Sequence, residues 1–175
     1  MQSNKLILGL VWMITSASMA FAEDSYPGDA VFIRQAAVHS MFEVKAGKLA
    51  LKNAASDDVR TFGGLMLLDN DKIKDQLQMM AKLKEWTLPT TLDTRHQSLV
   101  DQFEELKQKD FDREYSAEMD RIHKIDKESF KNAAKFAADP DLRKWAGQVE
   151  TIIDQHLEQV PVLTRTTTTT IEITK

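Results

Sequence analysis

No cysteine occurs anywhere in the 175 residues. Disulfides, thiolate metal ligands, cysteine nucleophiles and a lipidated cysteine anchor are therefore excluded, and an exported form of this chain must be held by its core alone. Gly and Pro are scarce, at six and four residues. No excess of basic charge is present either: 23 Lys and Arg stand against 27 Asp and Glu, mixed along the chain, for a net charge of -4. Such mild acidity argues against a nucleic-acid or anionic-membrane surface. Neither Gly-x-Ser-x-Gly nor His-Glu-x-x-His occurs, so no hydrolase motif is legible and no catalytic residue is assigned.

The one long apolar run is at the start. Residues 1–22, MQSNKLILGLVWMITSASMAFA, carry a single Lys, an apolar stretch from Leu6 and the small-residue pattern Ala20, Phe21, Ala22. This reads as a signal peptide cleaved after Ala22, placing the mature chain in the periplasm or outside the cell. The apolar stretch is short, is softened by Thr15, Ser16 and Ser18, and has no basic stop-transfer cluster behind it, so no stable membrane anchor is expected after cleavage. About 153 residues remain, enough for one domain with a substantial core, and the net charge moves to about -5 with the loss of Lys5.

What remains reads as helix. Asp110 to Ala137 contains no Gly or Pro and repeats Phe111, Tyr115, Met119, Ile122, Phe130, Ala134 and Ala137 at spacings of three and four, apart from one longer step. That step is filled by His123 and Asp126, which share the apolar face and need a buried partner or a bound ion. Earlier, Asp29 is placed to cap a helix beginning at Ala30. Its seam runs Phe32, Ala36, His39, Glu43, Ala46, Ala50; His39 reads as a wet helix end or a hydrogen-bond partner of Glu43.

Ser56 caps a second helix with Asp57 and Asp58 in its first turn. Its seam of Val59, Phe62, Met66, Ile73, Leu77 and Met80 is interrupted by Asp69, with Asn70 beside it. Gly63 and Gly64 read as permitting close packing. A shorter helix follows from Asp93 or Thr94 to about Lys107, with Leu99, Phe103 and Leu106 on its inner face and His96 expected to be solvent-exposed. It either crosses along the bundle or runs into the next helix with a kink near Gln108. Asp139, Pro140 and Asp141 announce the last helix. Its seam is Leu142, Trp145, Val149, Ile152, His156 and Val160, and Pro161 is expected to end it. Residues 162–175, rich in Thr, are expected to form a flexible tail, or alternatively a strand that pairs with another protein's sheet edge.

The fold class expected is therefore all-α: an antiparallel four-helix bundle over residues 23–161, with a short extra helix between the second and third long ones. If the helices form two hairpins, Glu43 lies about 12 residues before the first turn and Asp69 about 14 after it. His123 and His156 lie about 15 before and 18 after the second, so at about 1.5 Å per residue the four fall within about 9 Å of height. Glu, Asp, His and His converging from four helices is the donor set that transition-metal sites require.

Four segments carry a resemblance: AVFIRQAAVHSMFEVKAGKLALKNAAS, VRTFGGLMLLDND, DFDREYSAEMDRIH and DPDLRKWAGQVETIIDQHLEQV. Together they resemble the exported, ferritin-like bacterial family called domain of unknown function family 4142. The resemblance implies a bundle related in architecture to ferritins, whose carboxylates and histidines bind paired metals. It aligns Glu43, Asp69, His123 and His156 with the family's helix-borne ligand positions. At Asn70 a histidine is usual, and at Ile122 an acid commonly precedes the third-helix histidine. Two readings follow. One is a metal-binding bundle that stores or buffers iron, zinc or a similar ion, or uses it in oxygen or peroxide chemistry through Glu43, Asp69, His123 and His156, with His39 able to replace the missing imidazole. The other is a metal-free, degenerate bundle serving as an envelope or stress-associated binding module.

Overall fold

The computed structural model describes residues 26–172, with side chains through Leu163. The expected signal peptide, residues 1–22, lies outside the described residues. The chain is all-α: α1 (Asp29–Asn53), α2 (Asp57–Lys84), α3 (Thr94–Glu105), α4 (Gln108–Phe136) and α5 (Pro140–Glu172). Among the described residues there is no strand, only a single bridge between Ala54 and Gln108.

Local chemistry sets the helix ends. Ser56 Oγ accepts from the Asp58 and Val59 amides at 3.1 and 3.4 Å. Asp93 accepts from His96 N–H, and Asp139 from the Asp141 and Leu142 amides at 2.9 and 3.0 Å. Each satisfies N–H groups that the first helical turn leaves without partners. Asp29 departs from expectation, because it is the first residue of α1 and makes no cap there. Its carboxylate instead accepts the Ala138 and Asp139 amides at 3.0 and 2.9 Å, tying the start of α1 to the α4–α5 turn.

α1 packs chiefly on α2, and α4 on α5. Asp112, near the start of α4, accepts the Ala55 and Ser56 amides, which places that start at the α1–α2 turn. Lys84, at the end of α2, reaches Asp139 and Asp141 at the start of α5. α2 and α4 therefore run the same way, and residues 85–107, with α3, return the chain along the length of the molecule. Of the two connections open to the sequence, the crossover is the one present.

The first two helices cross where Gly47 and Gly63 meet. A Cβ at Gly63 would lie 2.4 Å from Ala50 Cβ and 3.1 Å from the Gly47 carbonyl, so only hydrogen fits. Gly64 is different: its nearest neighbour would be Leu51 Cδ2 at 3.7 Å, an ordinary contact.

Two apolar cores fill the interior. One, at the α1–α2 turn end, is built around Phe42, Phe62, Met66, Phe103, Phe111, Tyr115 and Met119. The other, at the opposite end, gathers Phe32, Ile33, Leu77, Phe130, Leu142, Trp145 and Val149. On each long helix polar side chains are buried or half-buried between the cores: His39, Ser40 and Glu43, Asp69 and Asn70, His123 and Asp126, and His156. α5 continues through Pro161, where the sequence reading expected it to stop and a flexible tail to begin. Proline costs an interior helix one hydrogen bond, but Val160 and Leu163 are both buried on either side and hold the helix in register. Among the described residues no helix is long and apolar enough to cross a membrane.

Candidate functional site

The polar layer between the cores draws on all four long helices. α1 supplies His39, Ser40 and Glu43; α2, Asp69 and Asn70; α4, His123 and Asp126; α5, His156. Glu43, Asn70, His123, Asp126 and His156 are all buried. The seam of α2 runs Val59, Phe62, Met66, Asn70, Ile73, so Asn70 takes the inward place that the sequence reading gave to Asp69. Asp69 lies at the rim, its side chain 20% exposed, with Lys72 at 3.2 Å.

Three of the four expected ligands form one chain of contacts. His123 Nδ1 lies 2.8 Å from the Met119 carbonyl, its Nε2 lies 3.2 Å from His156 Nδ1, and His156 Nε2 lies 3.2 Å from Asp69 Oδ2. A carbonyl can only accept, so His123 Nδ1 carries a proton; in the neutral imidazole Nε2 is then an acceptor. Burial, with the His123 ring beside it, pulls His156 down to about 4, while Asp69 opposes the fall. Neutral His156 has one N–H for two neighbours, and serves His123 or Asp69 at any moment. Phe62 covers both rings, at 5.8 and 6.2 Å between centroids.

Glu43 stands apart from this chain. Its carboxylate accepts the Asn70 side-chain amide. Burial pushes the Glu43 carboxyl up, and Asp126 adds to the rise, while His123, His39 and the Asn70 bond oppose it. His39 Nδ1 lies 2.5 Å from Asp126 Oδ1. Burial works to lower His39, but the Asp126 carboxylate outweighs it and the net shift is upward. Between these pairs is a cavity of about 20 Å³ walled by His39, Glu43, Asn70, Asp126 and His156, among others. That is room for one water-sized occupant.

The ring nitrogens decide how this set suits a metal. A ligand imidazole needs one nitrogen free to coordinate while the other is held by a second partner. Both nitrogens of His123, and both of His156, are engaged by protein atoms. Among the described residues no group of three or more His, Asp or Glu side chains is arranged to hold a metal ion. The expected quartet thus meets only in part: Asp69, His156 and His123 adjoin in series, and Glu43 pairs elsewhere.

A family model described as domain of unknown function (DUF4142) matches residues 15–163. The chain belongs to this family. No curated protein and no solved structure matches it.

In this DUF4142 chain His96 corrects the sequence reading. Expected in solvent, it is buried, its ring 5.0 Å from His39 and 5.2 Å from Phe42. The signal was available: His96, Val100 and Phe103 are spaced four and three and share the inner face of α3. Asp93 Oδ1 holds His96 Nδ1 at 2.8 Å, while His96 Nε2 is buried without a partner. Burial lowers His96, against the pull of Asp93. Asp112, unassigned from sequence, is the other buried acid, and its role is to fasten the α1–α2 turn.

Proposed function

We propose that this protein is an exported, ferritin-like bundle that has replaced a metal centre with a self-satisfied polar layer, and that it serves in the envelope as a metal-free binding module. Ferritin-like architecture is supported by the four long helices with one long crossover. The observation that carries the metal-free reading is that every ring nitrogen of His123 and His156 faces a protein polar atom at 2.8–3.2 Å, leaving none turned to an open coordination position. Asn70 fits the same account. Where the family commonly has an imidazole, this chain has an amide that donates to Glu43 and satisfies it without an ion.

A second reading keeps one transition metal, iron, zinc or similar, in the central cavity. It rests on the walls of that cavity, which include the carboxylates of Glu43 and Asp126 and the imidazoles of His39 and His156. Elemental analysis of mature protein purified without chelator separates the two, with a His123→Ala, His156→Ala double variant alongside. The metal-free reading expects no stoichiometric metal in the parent and no thermal stabilisation by added iron, zinc, manganese or copper. One equivalent of metal in the parent, lost in a still-helical double variant, refutes it.

A further inference from the structure

His39 faces two ways. Its inner side meets Asp126 and the central cavity, and its outer side lines two adjoining clefts that also share Gln35. The narrower cleft, about 150 Å³, lies between α1, α3 and α4. Its polar walls are Gln35, His39, Arg95, His96, Arg121 and Ser129, with Ile122 and Ile125 as the apolar remainder, and none of its lining residues is a carboxylate. Arg95 and Arg121 do have a counter-ion, but they share it: both contact Glu118, at 3.4 Å and at 2.5–2.8 Å. One carboxylate between two guanidiniums leaves spare N–H donors at the cleft, although Asp126, on the inner side of His39, also acts on Arg121 and Asp93 lines the adjoining cleft.

The apolar side is equally specific. Ile125 is 48% exposed beside these cations. The wider cleft, about 340 Å³, continues past Gln35 along Val31, Val38 and Pro89 to Arg34, with one carboxylate in its wall, Asp93, which is engaged by the His96 ring and amide. Fixed donors at one end of a concavity and apolar walls beyond them are what a small amphipathic anion needs.

We propose that this double cleft binds a small organic carboxylate, its charged end between Arg95 and Arg121 and its apolar body against Ile125 and toward Pro89. The proposal rests on the reading of the bundle as a binding module and names the ligand class. It does not depend on what the polar layer holds.

Benzoate is the first probe, titrated into the mature full-length protein by calorimetry and by amide shift mapping. Benzyl alcohol serves as the uncharged control and inorganic phosphate as the anion without an apolar body. Saturable benzoate binding is expected, with shifts centred on Gln35, Arg95 and Ile125. Losing a charge-assisted bond weakens binding roughly ten-fold or more, so Arg95→Gln and Arg121→Gln should each do so. Arg113→Gln, a change at a surface arginine that lines neither cleft and is paired with Asp110 and Glu114, should leave affinity within about two-fold, and circular dichroism confirms that each variant is folded. Absent benzoate binding, equal binding of benzyl alcohol, binding of phosphate alone, or full affinity in both cleft variants overturns the proposal. Metal analysis remains the separate test of the polar layer, so either idea can fail alone.

Discussion

Replacing Gly63 and Gly64 by alanine, one at a time, should move stability in opposite directions. In an exposed helix either change is favourable by up to about 1 kcal/mol, because alanine loses less backbone entropy on folding. At Gly64 nothing opposes that gain, since the new methyl meets Leu51 Cδ2 at 3.7 Å. Gly64→Ala should therefore stabilise by about 0.5–1 kcal/mol. At Gly63 the methyl would sit 2.4 Å from Ala50 Cβ and 3.1 Å from a backbone carbonyl, so α1 and α2 must separate. Overpacking of this kind costs about 1–3 kcal/mol, and after the propensity gain a net loss of about 1–2 kcal/mol remains. For a chain of this size that is a fall in Tm of roughly 2–8 °C, against a rise of roughly 1–4 °C at Gly64. Circular dichroism melts with urea titrations measure both. Glu43 lies one turn from Gly47 and Asn70 two turns from Gly63, so Gly63→Ala should also loosen the Glu43–Asn70 hydrogen bond. Shifts of the same sign in the two variants would refute the close-crossing argument.

Asn70→Ala leaves the buried Glu43 carboxyl without its amide donor and should cost about 1–3 kcal/mol. Because Asn70 holds the Glu43 pKa down, carboxyl-carbon NMR should show it rising further, and an unchanged titration would contradict the assignment. His156 makes stability depend on pH. Its folded pKa of about 4 lies below the ordinary 6.5, so in that window the unfolded chain binds a proton that the folded chain refuses. The contribution is intact above 6.5 and is lost as pH falls, by about 2–3 kcal/mol between neutral pH and 4.5. His156→Gln should flatten that part of the urea-measured pH profile, and parallel profiles would contradict it. His39, whose pKa is raised, works oppositely, its contribution fading as pH rises. Asp112→Ala strips two amides at the α1–α2 turn of their acceptor and should cost about 1–3 kcal/mol in urea unfolding. A loss below about 0.5 kcal/mol would show that water replaces the carboxylate there.

Helix number, the caps at Ser56, Asp93 and Asp139, and most of the inward faces of α4 and α5 were legible because three-and-four spacing and cap chemistry are local; on α5 Ile153 rather than the expected Ile152 is buried. The crossover was not, since a helix pattern does not state which end of the molecule the next helix starts from. That information lies in the tertiary contacts of Asp112 with the Ala55 and Ser56 amides. Asp29 shows the same limit, because an acid at a helix start reads as a cap whether it bonds its own helix or another turn. Height counting along the helices set Glu43, Asp69, His123 and His156 at one level on the premise of two turns at the same end. The turns lie at opposite ends, and Asp69, His156 and His123 adjoin because each sits near the middle of its helix. It could not say which atoms would be free, because ring orientation depends on the Met119 carbonyl and the neighbouring imidazole. One residue of rotation on α2 put Asn70 rather than Asp69 inside.

Nitrogen-15 NMR of the imidazoles observes the ring nitrogens of His123 and His156 directly. On mature protein at pH 7, His123 should show a protonated Nδ1 and an accepting Nε2, and one equivalent of zinc or iron(II) should leave both rings unchanged. A stoichiometric shift of His123 or His156 nitrogen resonances on adding metal, abolished by the double alanine variant, would contradict the account and place an ion where it puts a hydrogen-bonded chain.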